Sequence, residues 1–255
     1  MTRYLEGSTP RAFAHRGWHT GTFAGLENTT PAFAEAVAQG YRYLETDVHV
    51  TADGKLLAFH DHFLDRVTDA SGQIAALPWE QVRKAKIGGR EPIPLLEDLL
   101  GEFPQARFNI DPKSDRSVGP LVDVLRRTNS SDRVCIGAFS DRRLQSVRAA
   151  LGPRVATSLG PRQVAALVGR ARHLPIPFRT FGAVAAQVPV GQGRITVVND
   201  AFVSQAHRRG LEVHVWTIDD PAQMRRLLDL GVDAIMTDRP DLLKQELQDR
   251  GVWDS

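Results

Sequence analysis

The 255-residue chain is 42% hydrophobic and 24% charged, with 21 Gly and 15 Pro, proportions that exclude a disordered or fibrous protein and fit a fold with a sizeable core. A formal charge of only +2, with no Lys/Arg block interleaved with aromatics, argues against a nucleic-acid partner. Cys135 is the single cysteine, which excludes an intramolecular disulfide and a Cys-rich metal site, and no stretch approaches the ~18 apolar residues of a membrane span.

The start, MTRYLEGSTPRAFAHRG, lacks an apolar signal region, so a cytoplasmic location is expected. The first strand-like run, RAFAHRG (11–17), closes on His15-Arg16. A helix is expected over 30–40, with Pro31 in its first turn and Gly40 at its C-terminal cap. The second strand, YRYLETDVHV (41–50), carries Glu45 and Asp47 two residues apart, hence on one face. Such a pair repels unless something positive lies between the carboxylates. Asp53-Gly54 is a two-residue hairpin signal, and that turn would set His60 directly opposite Asp47. Residues 51–105 are too long for a simple connection. They are expected to hold this hairpin arm, the stretches 77–87 and 91–103, and an intervening loop, as a small insertion plus the second helix over the barrel mouth.

In the third strand, ARFNIDPK (106–113), Asn109, Asp111 and Lys113 share a face, and Pro112 marks an end, since proline cannot donate to a central ladder. Strands follow at 133–139, 154–160, 183–190, 211–218 and 233–238, with Cys135 a small core residue of the first. Helical patterns alternate with them at 119–128, 141–152, 161–171, 199–210, 221–231 and 240–251. The Arg-Arg pairs in these helices read as solvated faces. The sixth strand is the least defined, lying in the Pro- and Gly-rich stretch 173–194. Eight strands, each followed by a helix, predict an α/β fold of the TIM-type (β/α)₈ barrel class, one domain over 1–255. A doubly wound open sheet is the competing architecture, but no GxGxxG follows the first strand.

Reactive residue types fall late in their strands, at the rim where a barrel of this kind places its active site: His15, Arg16, Glu45, Asp47, Asn109, Asp111, Lys113, Trp216 and Asp238. Glu45, Asp47 and Asp111 offer the hard oxygen ligands of Mg²⁺ or Ca²⁺. The same acids could instead form an ion-pair network with Arg16 and Lys113. His15 and His60 carry no zinc spacing and suit a general acid and general base. His19, His62, His173 and His207 read as surface or packing residues, His49 and His214 could face the pocket, and Trp216 is either a lid or a core aromatic. The combination points to an anionic substrate and to phosphodiester cleavage.

AHRGW, followed by ENTTPAFAEAVAQGYRYLETDVHVTADGKLLAFHDHFLDRVT, resembles the opening of the glycerophosphodiester phosphodiesterase family. The likeness runs on in order through IPLLEDLL, FNIDPK, AHRRGLEVHVWTID and GVDAIMTDRPD, nearly to the end of the chain. The resemblance implies a TIM barrel with a small insertion after the second strand. It also implies a His15/His60 catalytic pair, phosphate contacts from Arg16 and Lys113, metal ligation by Glu45, Asp47 and Asp111, and Trp216 near the substrate's alcohol. The implied reaction yields glycerol 3-phosphate and an alcohol, with one divalent cation, Mg²⁺ or Ca²⁺, and a small-molecule phosphodiester as the partner. Two departures stand out: Asp111 replaces the family's usual Glu, and the link HTGTFAGL is longer than the commonest form. A lysophospholipase D or sphingomyelinase D-like enzyme is the nearest alternative, with Phe178 and Phe181 as candidates for an apolar track. A non-catalytic glycerophosphodiester-binding protein is a further one.

Overall fold

A computed structural model describes residues 3–253. Eight parallel strands build the barrel: β1 Arg11–His15, β2 Tyr43–Val50, β3 Arg107–Pro112, β4 Val134–Ile136, β5 Ala156–Thr157, β6 Ala185–Pro189, β7 Glu212–Trp216 and β8 Ala234–Thr237. Their order is β5-β4-β3-β2-β1-β8-β7-β6, and the two ends approach each other. Ser158 bridges Ala185, and the Val184 N–H donates to the Thr157 carbonyl at 2.9 Å. This nearly closed barrel is the expected TIM architecture, and it disposes of the open doubly wound sheet, whose edge strands would stay unpaired.

Eight helices alternate with the strands: α1 Thr30–Ala38, α2 Leu96–Glu102, α3 Val118–Arg127, α4 Asp141–Leu151, α5 Pro161–Ala171, α6 Asp200–His207, α7 Pro221–Asp229 and α8 Pro240–Asp249. Their starts are set locally. Thr29 accepts from the Ala32 N–H at 3.3 Å ahead of α1, and Asn199 and Asp220 cap α6 and α7 in the same way at 2.9 Å. The strand period of two sends Leu44, Val48, Phe108 and Ile110 outward into the main core beneath the helices. There Phe33 of α1 lies against Phe108 of β3 with ring centroids 6.1 Å apart. Truncating such a buried ring to Ala costs about 3–5 kcal/mol. The alternate positions Phe13, Tyr43, Cys135, Ala156, Ala234 and Met236 fill the barrel interior over Tyr4. Cys135 is fully buried, as its strand context predicted.

The hairpin differs from expectation by one residue. Val48 pairs with Ala58, and the Thr51 N–H reaches the Lys55 carbonyl at 2.9 Å, so three residues, 52–54, form the turn. Only Gly54 needs a positive φ, +88°. The Thr51 and Asp53 side chains hold the longer turn: Thr51 Oγ accepts the Lys55 N–H at 2.9 Å, and Asp53 accepts the Trp79 N–H at 2.9 Å. Phe59, not His60, therefore lies opposite Asp47, donating its N–H to the Asp47 carbonyl at 2.9 Å. His60 falls just beyond the ladder.

The rest of 51–105 packs a small core of its own, in which Leu57, Phe59, Leu64, Ile74 and Ile87 meet Leu26. A short helix covers Trp79–Val82, and the second barrel helix starts only at Leu96. Pro92 and Pro94 keep the preceding chain extended, and Glu91–Pro92 pairs instead with Lys86–Ile87. The Pro-rich stretch 173–184 runs as coil and β6 begins at Ala185. Phe178 packs against the core beneath the Arg209 guanidinium, while Phe181 is exposed. No helix among the described residues is long and apolar enough to cross a membrane.

Candidate active site

The parallel ladders assemble the site. Register sets His15 beside Glu45, Glu45 beside Asn109, and Asp47 beside Asp111. With a side-chain period of two, these residues share the inner face at the C-terminal ends of β1, β2 and β3. Arg16 leaves β1 in a left-handed conformation, φ +57°, an uncommon state for a bulky residue and one that clusters at functional sites. Gly17 follows at φ +86°, and a Cβ there would lie 3.0 Å from the Ala32 backbone, so the turn after His15-Arg16 requires glycine.

At the centre, Lys113 Nζ lies 2.5 Å from Asp47 Oδ1 and 3.0 Å from Asp111 Oδ2. Arg16 Nε stands 3.5 Å from Asp47 Oδ2, and its Nη1 donates to Glu27 at 3.1 Å. His15 Nδ1 is 2.6 Å from Asp238 Oδ1, and its Nε2 points to Glu45 Oε2 at 3.6 Å. His19 Nε2 shares Asp238 at 3.0 Å. In the arm, His60 Nδ1 is 2.6 Å from Asp61 Oδ1. His49 Nε2–H donates to the His60 carbonyl at 2.9 Å, which anchors that residue where the ladder no longer does.

These surroundings shift the proton affinities. Burial and the neighbouring Asp47 push the Glu45 carboxyl up to about 8, against the pull of His15, Arg16 and Lys113. Burial also raises Asp111, partly offset by Lys113. For His15, burial favours the neutral ring, but Glu45 and Asp238 outweigh it and its pKa rises. Asp238 is held below the usual carboxylate range because hydrogen bonds from His15 and His19 overcome its burial. Burial drives His49 down to about 4, so its ring is neutral at ordinary pH.

One oxygen of each acid, Glu45 Oε2, Asp47 Oδ2 and Asp111 Oδ1, is buried without a hydrogen-bond partner, as is Arg16 Nε. Buried unpaired carboxylate oxygens are costly and rarely persist without a counter-charge. Three such atoms from two adjoining strands, β2 and β3, are a hard-donor set, and they fit a divalent cation. Among the described residues no three acidic, imidazole or thiol groups form a ready metal cage, and Lys113 bridges two of the acids. The ion-pair network, one of the two alternatives in the sequence, is present: Lys113 pairs with Asp47 and Asp111, and Arg16 with Asp47.

Of the residues singled out from sequence, His15, Arg16, Glu45, Asp47, Asp111, Lys113 and Asp238 meet in direct contacts. His60 joins through its neighbour Asp61. Trp216 stands apart from these contacts, packed edge-on against exposed Phe139 with ring centroids 5.5 Å apart. His214 points inward, but below the mouth, where Nε2 meets Glu212 at 2.9 Å. His19, read as a surface or packing residue, belongs to the His15–Asp238 cluster; its loop position gave no periodic signal. Glu27 and Gln187 also went unread, because their partners Arg66 and Asn109 are remote in sequence, and Asp61 and Arg66, though near His60, lie in a stretch without periodic signal. Gln187 donates to Asn109 across the barrel at 2.7 Å.

The model of the glycerophosphoryl diester phosphodiesterase family matches residues 15–242, from the first site histidine into α8. The chain belongs to this family. It is accordingly a phosphoric diester hydrolase, the class its curated relatives are named for. A Mycobacterium tuberculosis protein named probable glycerophosphodiester phosphodiesterase 2 is 41% identical over 95% of this chain and 92% of its own. Among solved structures, a Silicibacter pomeroyi protein assigned to the glycerophosphoryl diester phosphodiesterases superposes with TM-score 0.80, at 25% identity and full coverage of both chains. An Oleispira antarctica phosphodiesterase, solved with its product sn-glycerol-3-phosphate, shares the fold at TM-score 0.79 and 24% identity, over 94% of this chain and 97% of its own.

Proposed function

We propose that this protein, as one catalytic barrel domain, hydrolyses glycerophosphodiesters to sn-glycerol 3-phosphate and an alcohol. The observation that carries the reading is the pair of imidazoles His15 and His60, each with Nδ1 held 2.6 Å from an aspartate. A carboxylate on Nδ1 sets the tautomer and orients the ring, leaving Nε2 to take up or release a proton. One histidine accepts the proton of the attacking oxygen, a glycerol hydroxyl or a water, as that oxygen bonds to phosphorus. The other protonates the ester oxygen as its bond to phosphorus breaks, so the alcohol departs neutral. Attack by the hydroxyl gives a cyclic phosphate, which water opens with the two roles exchanged. Arg16 and Lys113 neutralise the non-bridging oxygens, Arg16 as a planar fork and Lys113 as a point charge. Trp216 borders the alcohol. A divalent cation, Mg²⁺ or Ca²⁺, on Glu45, Asp47 and Asp111 would supply further charge stabilisation at the phosphoryl group.

The test is release of sn-glycerol 3-phosphate from glycerophosphocholine by metal-stripped protein, with Mg²⁺ or Ca²⁺ restored. His15→Ala and His60→Ala should each lose about 10²–10⁴-fold in rate. No release by folded, metal-supplied wild type would sink the reading. Phe139, 69% exposed beside Trp216, favours a second substrate class with an apolar tail. Lysophosphatidylcholine run in parallel decides whether the enzyme is instead a lysophospholipase D.

A further inference from the structure

Arg66 lies in the arm, outside every strand, and the reaction above makes no use of it. Its guanidinium nonetheless grips two carboxylates at once. Nε donates to Asp61 Oδ2 at 2.6 Å and Nη2 to Asp61 Oδ1 at 3.0 Å. Nη1 and Nη2 donate to the two oxygens of Glu27 at 2.9 and 2.7 Å. Each carboxylate then touches a different member of the site. Asp61 holds His60 Nδ1, and Glu27 accepts from Arg16 Nη1 at 3.1 Å.

We propose that Arg66 is a positioning residue, clamping the arm to the loop between β1 and α1 and so holding His60 and Arg16 in fixed relation through Asp61 and Glu27. The proposal rests on the roles given to His60 and Arg16 above.

The competing reading is an ordinary surface ion pair, because the Arg66 side chain is 48% exposed and exposed pairs contribute little. Two features set this one apart. Both partners are more enclosed than Arg66, Glu27 at 12% and Asp61 at 23% side-chain exposure, and each is gripped by a two-bond fork. The chain that carries His60 also lacks regular structure: residues 60–73 contain no helix or strand element. Backbone bonds hold the chain at Phe59 on one side and at His62, which accepts from the Ile74 N–H at 3.0 Å, on the other, while His60 itself is held through its carbonyl by His49. Leu26 of the β1 side packs into the arm's apolar core, and the Asp61–Arg66–Glu27 forks are the polar side-chain contacts that cross there beside His60. A lysine at 66 would keep the charge but could not fork both acids.

Arg66→Ala and Arg66→Lys separate these readings. In both, kcat should fall about 10–100-fold, the scale of a displaced catalytic group, with a smaller change in KM. Millimolar guanidinium, well below denaturing levels, should partly restore Arg66→Ala and leave Arg66→Lys unchanged. Side-chain ¹⁵N NMR of His60 gives a readout independent of turnover: one Nδ1–H tautomer in wild type, a tautomer mixture in both variants. Wild-type kcat together with an unchanged His60 spectrum would overturn the clamp. So would loss of activity that tracks only a lowered Tm and ignores guanidinium. Should wild type prove inactive on diesters, the reading of function fails, while the NMR arm still decides the clamp.

Discussion

The barrel holds two buried charge clusters of similar composition, and they are resolved in opposite ways. At its N-terminal floor, Arg11 donates to both oxygens of Glu212 at 3.0 and 2.9 Å, to the Leu5 carbonyl at 2.6 Å and to Tyr43 Oη at 2.9 Å. His214 Nε2 also meets Glu212 Oε2, at 2.9 Å. None of Arg11, Tyr43, Glu212 and His214 leaves a buried polar atom unpartnered. At the mouth, Glu45, Asp47 and Asp111 each leave one oxygen unmatched. The proton affinities follow: hydrogen bonds from His214 and Arg11 overcome burial and hold Glu212 down at about 2, whereas burial and Asp47 lift Glu45 to about 8. A satisfied cluster of this kind plugs a barrel. An unsatisfied one marks a candidate site, and that difference separates the two clusters more sharply than residue type does.

The largest expected effects come from neutralising one glutamate in each cluster. Glu45→Gln should lower kcat/KM about 10²–10³-fold, the usual scale for losing one preorganised electrostatic contact, while leaving metal-free stability unchanged or raised, since it removes a repelling neighbour of Asp47. Glu212→Gln should do the reverse. It strands a buried guanidinium, costs about 3–5 kcal/mol in denaturant unfolding, and spares kcat in whatever fraction stays folded. Equal stability losses at the two positions would erase the distinction.

Next in size is the response to a cation. Ligand that binds only the folded state stabilises it by about 2.7 kcal/mol at a hundredfold excess over Kd. Mg²⁺ or Ca²⁺ should therefore raise the unfolding midpoint of wild type and Glu212→Gln, but not that of Glu45→Gln. A shift that survives Glu45→Gln would place the cation elsewhere.

The two clusters also predict opposite pH slopes. Glu212, depressed from 4.5 to about 2, stabilises the fold fully above pH 4.5, and that contribution fades as pH falls toward 2. Glu45, raised from 4.5 to about 8, acts with the other sign: it is a burden absent below pH 4.5 that grows as pH rises to about 8. Metal-free wild type should thus lose stability between pH 4.5 and 8 relative to Glu45→Gln, and saturating cation should flatten the slope. Urea midpoints across that range measure both.

The contrast between mouth and floor was half legible in the sequence. Strand positions, and hence the rim carrying His15, Glu45, Asp47, Asp111 and Lys113, could be read because period-two patterning and Pro112 are local signals. The floor could not be read: Arg11 and Glu212 are 201 residues apart, and nothing near either one announces the partner. The same holds for Glu27 and Arg66, which only the folded arm brings together. The one-residue error at the hairpin has a different cause. Asp53-Gly54 fits a two-residue turn, but Thr51 and Asp53 bond to Lys55 and Trp79 and stabilise a three-residue one. A register error of that size moves every side chain to the opposite face, so His60 reaches the mouth only because it lies past the ladder.

The smallest effect sought is at Asp111, where the family resemblance leads one to expect Glu. The aspartate's Oδ2 is already paired with Lys113 at 3.0 Å, and its Oδ1 is the unmatched atom. Asp111→Glu adds one methylene and carries the carboxylate farther from β3, toward Glu45 and Asp47. Like charges then crowd more closely in the metal-free protein, which should lose about 1 kcal/mol or less through crowding of a partly open site. The same crowding should tighten cation binding a few-fold, measured by calorimetric titration with Mg²⁺ and with Ca²⁺. Tighter binding would mean that the shorter side chain holds the ion at a distance in the natural protein, with Lys113 sharing its charge. Unchanged affinity would mean that Asp111 serves Lys113 first and the cation hardly at all, leaving Glu45 and Asp47 as the two acids that bind it.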